Sequence, residues 1–263
     1  MRLGFIGTGT ITAAIVEGIF KSHSAIESVY LSPRNAETAA KLSRIDERIK
    51  VATSNQEVAD RADVVFLAVR PQIAGTVLTE IRFRPNHHLI SFIAAAQTDI
   101  VKKWVGPVAR ITRAIPLPFV EERHGMTAIY PADPLVLDFF NALGSPIEAQ
   151  TESELDLFLA ASALMGPYFQ TVSACNQWLV EKGMAGIRAR AYINALFSSL
   201  SRTANEHADT SFDLLKDEFS TLGGLNEQAA RVLQENGAPM AFRSALESVH
   251  RRIATGATLF TRE

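Results

Sequence analysis

"LGFIGTGTITAAIVEG" (Leu3–Gly18) sets an apolar run before two glycines one residue apart, Gly7 and Gly9, and a helical pattern follows at once. The physical reading is a strand, a tight loop and a helix. Gly7 permits the turn, Gly9 lets a pyrophosphate approach the backbone, and the helix N-terminus supplies amide donors and a positive dipole end. The spacing therefore predicts a dinucleotide-binding loop. Its third position is Thr12, where glycine usually allows helix and strand to pack closely. A helix set slightly further out, or a threonine facing solvent, is expected.

Working outward, "RLGFIG", "SVYLS", "DVVFLAV", "HLISFIAA", "ARITRAI" and "MTAIYP" are short β-rich runs that alternate with helical stretches up to about residue 150. Val64–Val69 is apolar on both faces and must be covered on both, which argues for βαβ units and a mainly parallel, doubly wound sheet. Thr12–Lys21, Ala36–Leu42, Ile73–Glu80 and Asp99–Trp104 are the expected crossover helices. After "ALGSPIEAQ" the β signal stops. From Glu152 onward the periodicity is helical, with turns marked by Gly183, Gly186 and "HADTS". The expected fold is α/β: an N-terminal Rossmann-type unit over residues 1–150 and an all-helical unit over 151–263.

At the end of the second strand, "VYLSPRN" lacks the acidic residue that would bond the ribose hydroxyls of NAD. Ser32 and Arg34 stand there instead, and hydroxyl and guanidinium donors match the oxygens of a 2′-phosphate. NADP(H), with NADPH preferred over NADH, is the expected cofactor. "FLAVRPQ" puts Arg70 and Pro71 just past a buried strand, on the edge where open α/β sheets bind ligands. "SFIAAA" ends the next strand in residues small enough for a nicotinamide to pass.

The chain has 263 residues, 47% hydrophobic, enough for well-filled cores. Its 26 Lys+Arg balance 28 Asp+Glu without long runs of either sign, so nucleic-acid and membrane-surface roles gain no support. No apolar run reaches the ~18 residues that span a bilayer. The start lacks the features of a secretory signal, and a cytoplasmic protein is expected. The single Cys175 excludes an internal disulfide framework and a thiolate cluster. His87 and His88 would point apart on a strand, and no metal site is expected.

Taken together, these residues resemble pyrroline-5-carboxylate reductase across nearly the whole chain. "GFIGTGTITAAI" opens it, "LAVRPQ" stands for the family's Ala-Val-Lys-Pro, and "ISFIAAA" for its Ser-x-Ala-Ala-Gly strand end. "RAIPLPF" and "HGMTAIY" follow its Arg-x-Met-Pro-Asn-Thr-Pro segment. "MGPYF" answers Ser-Gly-Ser-Gly-Pro-Ala-Tyr, and "EKGM" matches a helix junction. "LLKDEFSTLGGLNEQAARVLQENGAPMAFRSAL" follows the stretch from Leu-Lys-Asp through Ser-Pro-Gly-Gly-Thr-Thr to the C-terminal helix. The resemblance implies a helical domain that dimerises through long helices, giving a homodimer or larger homo-oligomer. It also implies NADP(H) on Gly7, Thr8, Gly9, Thr10 and Ile11, with Ser32 and Arg34 at the 2′-phosphate and Asn55, Ala68, Arg70, Ala94 and Pro167 at further cofactor positions. The departures gather near the substrate: Ala163, Leu164 and Met165 replace serines and glycines, Leu117-Pro118 replaces Asn-Thr, and Leu225-Asn226 replaces a Thr-Thr pair.

The glycine pair Gly223–Gly224 precedes a helix expected over Leu225–Asn236. Its successive amides beside a positive dipole end are suited to a small imino-acid carboxylate; a plain helix-to-helix turn is the other reading. Gly223, Gly224, Leu225 and Tyr168 are thus candidate substrate contacts. Thr221 and Asn226 are candidate catalytic groups, Asn226 as a donor to the substrate carboxylate or ring nitrogen, or as a cap of its own helix. Reducing a protonated C=N bond demands mainly positioning, which suits a chain with no evident triad. Other readings are an imine or ketone reductase with a different substrate, or an inactive NADP-binding regulator. A β-hydroxyacid dehydrogenase would want a lysine on the helix after the linker, and Glu152–Glu181 contains none.

Overall fold

The computed structural model describes residues 1–22, 25–108 and 110–255. Ala109, at the start of the expected strand "ARITRAI", and residues 256–263 of the expected helical unit lie outside them. The described chain forms one eight-stranded sheet and a set of helices in two compact units.

The sheet order is β3-β2-β1-β4-β5-β6-β7-β8. Its strands are β1 (Arg2–Ile6), β2 (Ser28–Leu31), β3 (Ile49–Val51), β4 (Val64–Leu67), β5 (His88–Ser91), β6 (Arg110–Pro116), β7 (Gly125–Tyr130) and β8 (Gly144–Glu148). All neighbours are parallel except β6 and β7, which pair antiparallel through Pro116 and Thr127. Between them run α1 (Thr10–Lys21), α2 (Ala36–Leu42), α3 (Asn55–Arg61), α4 (Pro71–Thr79), α5 (Thr98–Val105) and α6 (Pro134–Asn141). The strand order reverses at β1 and β4, where a doubly wound sheet opens a crevice at its carboxyl edge.

Period-two alternation splits the core between the sheet's two faces. Leu3, Phe5, Val29, Phe66 and Ile90 pack with α1, α2 and α6, while Ile6, Val65, Leu67 and Leu89 pack with α3, α4 and α5. Phe5 and Phe66 stack across β1 and β4 with centroids 4.4 Å apart. Each such fully buried phenylalanine contributes about 1.5–3 kcal/mol, enough to fix the register of the strands that carry the crevice.

The sequence reading lacks β3, β8, α3, α6 and a short 3₁₀ helix over Pro118–Glu122. β3 and β8 are the sheet's edges, and β3 buries only Ile49, so neither shows the two-faced apolar run of a central strand. β8 falls inside "ALGSPIEAQ", the stretch after which the β signal stops. α3 and α6 are announced by their caps: Ser54 accepts from the Glu57 amide, and Asp133 accepts from the Leu135 and Val136 amides ahead of Pro134.

α7 (Glu152–Ser162) was expected with the helical half but packs with the sheet. Arg113, buried in β6, donates to Glu152 and Asp156 at 2.9 Å each, and Glu152 also accepts from the Thr98 amide and hydroxyl. The second unit, Ala163–Val249, contains α8 (Met165–Glu181), α9 (Gly186–Glu206), α10 (Phe212–Phe219) and α11 (Leu225–Glu235) and most of α12 (Ala238–Ala254). α8 buries no residue and α9 only Ala189 and Ile193. Large apolar side chains stand in the open there, Ile187 at 83% exposure and Tyr192 at 62%.

Candidate functional site

A cleft of about 490 Å³ opens at the carboxyl edge of the sheet. It gathers Gly7, Thr8 and Gly9 after β1, Ser32 and Arg34 after β2, Asn55 at the start of α3, and Ala68 and Arg70 after β4. The sequence reading missed Asn35, Ala36, Val69, Ile73 and Val77, which complete its walls.

The loop's shape follows from its two glycines, which do different things. Gly7 has φ +104°, and a Cβ there would lie 2.5 Å from the Ala68 carbonyl oxygen, so backbone from β1 and β4 can meet only at a glycine. Gly9 has an ordinary φ of −96°, and a Cβ on it would meet nothing within 4 Å. What its missing side chain leaves open is the cleft itself. α1 begins directly behind it with no side-chain cap and no acid in its first turn. Its first amides face that space with the positive end of the helix dipole. A cradle that a Cβ would fill, backed by free amides, fits the pyrophosphate of a dinucleotide.

One expectation about this loop is corrected. Thr12 does not face solvent: it is fully buried, and its hydroxyl donates to the Gly7 carbonyl at 2.7 Å. A hydroxyl that bonds the loop stands in place of the third glycine. Ser32 lines the cleft but is 1% exposed. Its Oγ accepts from the Gly7 amide at 2.9 Å and lies 3.1 Å from the Thr8 Oγ1, which itself donates to the Ser32 carbonyl at 2.8 Å. The loop therefore already engages the Ser32 hydroxyl on two sides, through the Gly7 amide and the Thr8 hydroxyl.

Arg34 is exposed on the cleft, with no acid among its walls. Thr10 is the exposed first residue of α1, and Ile11 packs against the core. Ala94 lies in the turn after β5, and Pro167 belongs to α8 in the second unit.

In the second unit, the loop before α11 turns at Gly223, φ +72°. The expectation that the Gly223 and Gly224 amides stand free is corrected: Gly223 donates to the Glu227 carboxylate at 2.6 Å and Gly224 to the Thr221 carbonyl at 2.8 Å. Asn226 does not cap its helix but donates through Nδ2 to the Phe219 carbonyl at 2.8 Å. The amides that remain for an anion are those of Leu225, Asn226 and Glu227, in the first turn of α11, which has no side-chain cap. Tyr168 packs edge-on against Phe169 and Phe197 and, with Asn176, Arg190 and Asn194, borders a cavity of about 300 Å³ between α8 and α9.

A third cavity, about 220 Å³, lies beyond β6 in the first unit, among Ile115, Leu117, Met126, Ile147, Phe158 and Ser162. Its one hydroxyl, on Ser162, already donates to the Leu159 carbonyl, so the cavity offers only hydrocarbon. Beneath it, burial pushes the Glu152 carboxyl upward, but the Thr98 and Arg113 hydrogen bonds outweigh that and hold it below the usual carboxylate range. Among the described residues, no cluster of His, Cys, Asp and Glu is placed to hold a metal, and no helix is long and apolar enough to cross a membrane.

Comparison with known proteins agrees with this architecture. Residues 2–95 match the family described as NADP oxidoreductase, coenzyme F420-dependent, and residues 152–255 match pyrroline-5-carboxylate reductase dimerisation. Pyrroline-5-carboxylate reductase of Escherichia coli K12 is 31% identical, with 93% of each chain covered. That of Haemophilus influenzae is 24% identical over 98% of each. The fold matches the Streptococcus pyogenes enzyme with a TM-score of 0.87 at 20% identity, covering 97% of this chain and 98% of that one. The Plasmodium falciparum pyrroline carboxylate reductase, solved with NADP bound, matches at 0.85 and 21% identity with the same coverage. On the 31% identity over nearly the full length, the chain belongs to the pyrroline-5-carboxylate reductase family.

Proposed function

We propose that this protein reduces the C=N bond of a small cyclic imino acid with hydride from NADPH, converting pyrroline-5-carboxylate to proline. As a member of its family it is an oxidoreductase acting on C=N with a nicotinamide cofactor. The observation that carries the reading is the uncapped N-terminus of α1 behind the open face of Gly9. Arg34, with no acid at the end of β2, favours NADPH over NADH.

The cofactor, when bound, supplies the hydride. The chain's residues position: Gly7 to Ile11 hold the phosphates, and Arg34 and Arg70 flank the cleft. Asn55, Ala68, Ala94 and Pro167 are proposed as further cofactor contacts on the family resemblance. For the substrate, the first-turn amides of α11 take the carboxylate, with Thr221 and Asn226 as its polar neighbours. Gly223 and Gly224 serve by shaping that loop rather than by donating, while Leu225 and Tyr168 supply contact surface. Such placement suffices if the imine arrives protonated. The sheet with its helices and α7 then forms the NADP-binding domain, and α8 to α11 with most of α12 form the helical domain that dimerises and carries the substrate loop. The match to a dimerisation family and the bare apolar faces of α8 and α9 support a homo-oligomer.

A second reading, a related reductase for an imine with an apolar substituent, is favoured by the hydrocarbon cavity beyond β6. NADPH oxidation assayed with pyrroline-5-carboxylate, and with a ring-substituted analogue, separates the two. Turnover lost in Asn226→Ala and in Gly224→Val, with NADPH binding intact, supports the reductase. NADPH binding without turnover of any cyclic imine overturns it in favour of a regulator.

A further inference from the structure

Ser32 is held by four bonds to β1 and the loop after it. Its amide donates to the Phe5 carbonyl at 3.0 Å. Its carbonyl accepts from Thr8, and its hydroxyl accepts from the Gly7 amide and shares a hydrogen bond with the Thr8 hydroxyl. Its amide is held by β1, and its carbonyl and hydroxyl are held by the glycine loop. The Gly7 amide needs this partner: Gly7 lies just past the end of β1, and its half-buried N–H would destabilise the turn without an acceptor. Thr12 fastens the same glycine from the other side through its carbonyl.

From this arrangement we propose that Ser32 is a positioning residue for the phosphate loop, acting on any dinucleotide alike, and that Arg34 alone discriminates the 2′-phosphate. The inference rests on the nicotinamide-cofactor reading above. It assigns to two neighbouring residues two separable duties. Ser32 keeps the α1 amides aimed at the pyrophosphate, which NADPH and NADH share. Arg34 meets the one group they do not share.

The test is calorimetric binding of NADPH, NADH and 2′-AMP, which carries the 2′-phosphate without the pyrophosphate. Ser32→Ala is expected to weaken NADPH and NADH by the same factor, about three- to tenfold for the lost hydroxyl bonds, and to leave 2′-AMP unchanged. Arg34→Ala is expected to weaken NADPH and 2′-AMP and to spare NADH. If Ser32→Ala does not fold, Thr8→Val removes the same hydroxyl pair from the loop side and should give the Ser32→Ala pattern, while Thr8→Ser restores wild-type binding. Loss of NADPH and 2′-AMP with NADH retained in Ser32→Ala would make Ser32 a 2′-phosphate ligand and overturn the proposal, as would unchanged binding of all three. A wild-type protein that binds neither dinucleotide overturns the cofactor reading itself, a result unlike either selective pattern.

Discussion

Alanine at Gly7 and alanine at Gly9 should fail in opposite ways. At Gly7 the new Cβ meets the Ala68 carbonyl oxygen at 2.5 Å and its carbon at 2.7 Å, on a backbone with φ +104°. Backbone atoms cannot rotate aside as a side-chain tip can. The strained conformation costs about 1–3 kcal/mol, and parting β1 from β4 adds to it. A melting temperature lowered by roughly 5–8 °C is expected, with weaker NADPH binding because both walls of the cleft move. At Gly9 the backbone suits alanine and the Cβ touches nothing within 4 Å. Alanine is the poorer N-cap by about 0.5–1 kcal/mol, while it reduces unfolded-state entropy by about 0.4–1 kcal/mol. The two nearly cancel, so the melting temperature should stay within about 2 °C. Its Cβ nonetheless occupies the approach to the α1 amides. Losing two charge-assisted bonds at about 1.5 kcal/mol each weakens NADPH about a hundredfold. Differential scanning fluorimetry without cofactor, paired with NADPH fluorescence titration, reads both effects. A Gly9→Ala protein that binds NADPH as the wild type does would refute the cradle, whatever its stability.

Other outcomes follow from features away from the loop. Arg113→Met strands Asp156, 5% exposed, without its partner; urea unfolding should show a loss of about 3–5 kcal/mol. His88 is buried against Thr112, with Asp133 and Arg110 nearby, and desolvation first, then Arg110, push its imidazole below the ordinary value while Asp133 partly opposes them. The unfolded chain therefore takes up the proton first, so stability is full above about pH 6.5 and falls as pH drops through the folded value. His88→Asn should flatten melting temperature against pH between about 7 and 5; an unchanged slope would exonerate His88. Ile187→Glu with Tyr192→Glu, both on the open side of α9, should convert the oligomer to monomers in sedimentation, and an unchanged mass would place the interface elsewhere.

The parts of the fold that could be read from sequence are those whose cause is local. β4 is apolar on both faces because it is covered on both, and "VVFL" says so by itself. α2 spans Ala36–Leu42, the residues its periodicity marked. β3 and β8, at the edges, have no such obligation and left no such trace. α3 and α6 also have a local cause: Ser54 with Glu57 three residues on, and Asp133-Pro134, are helix starts written in side-chain chemistry. At the site, Gly7 and Gly9 declare themselves because a turn and an open approach need glycine at those two places. The Ser32 hydroxyl could not, since its partner lies 25 residues away and either orientation suits the local chain. Glu227, four residues after Gly223, was within reach of a sequence reading, because a carboxylate one turn into a helix commonly reaches back to an amide before it.

The exposed apolar faces of α8 and α9 carry a genetic consequence. If chains pair through those faces as proposed, a chain disabled at Gly9 but sound in its helices is still accepted as a partner. In a cell making both forms, defective chains would enter assemblies at random with normal ones. Lesions in the cleft should then behave as dominant when each site draws on both chains, and lesions that stop α8 and α9 from pairing as recessive.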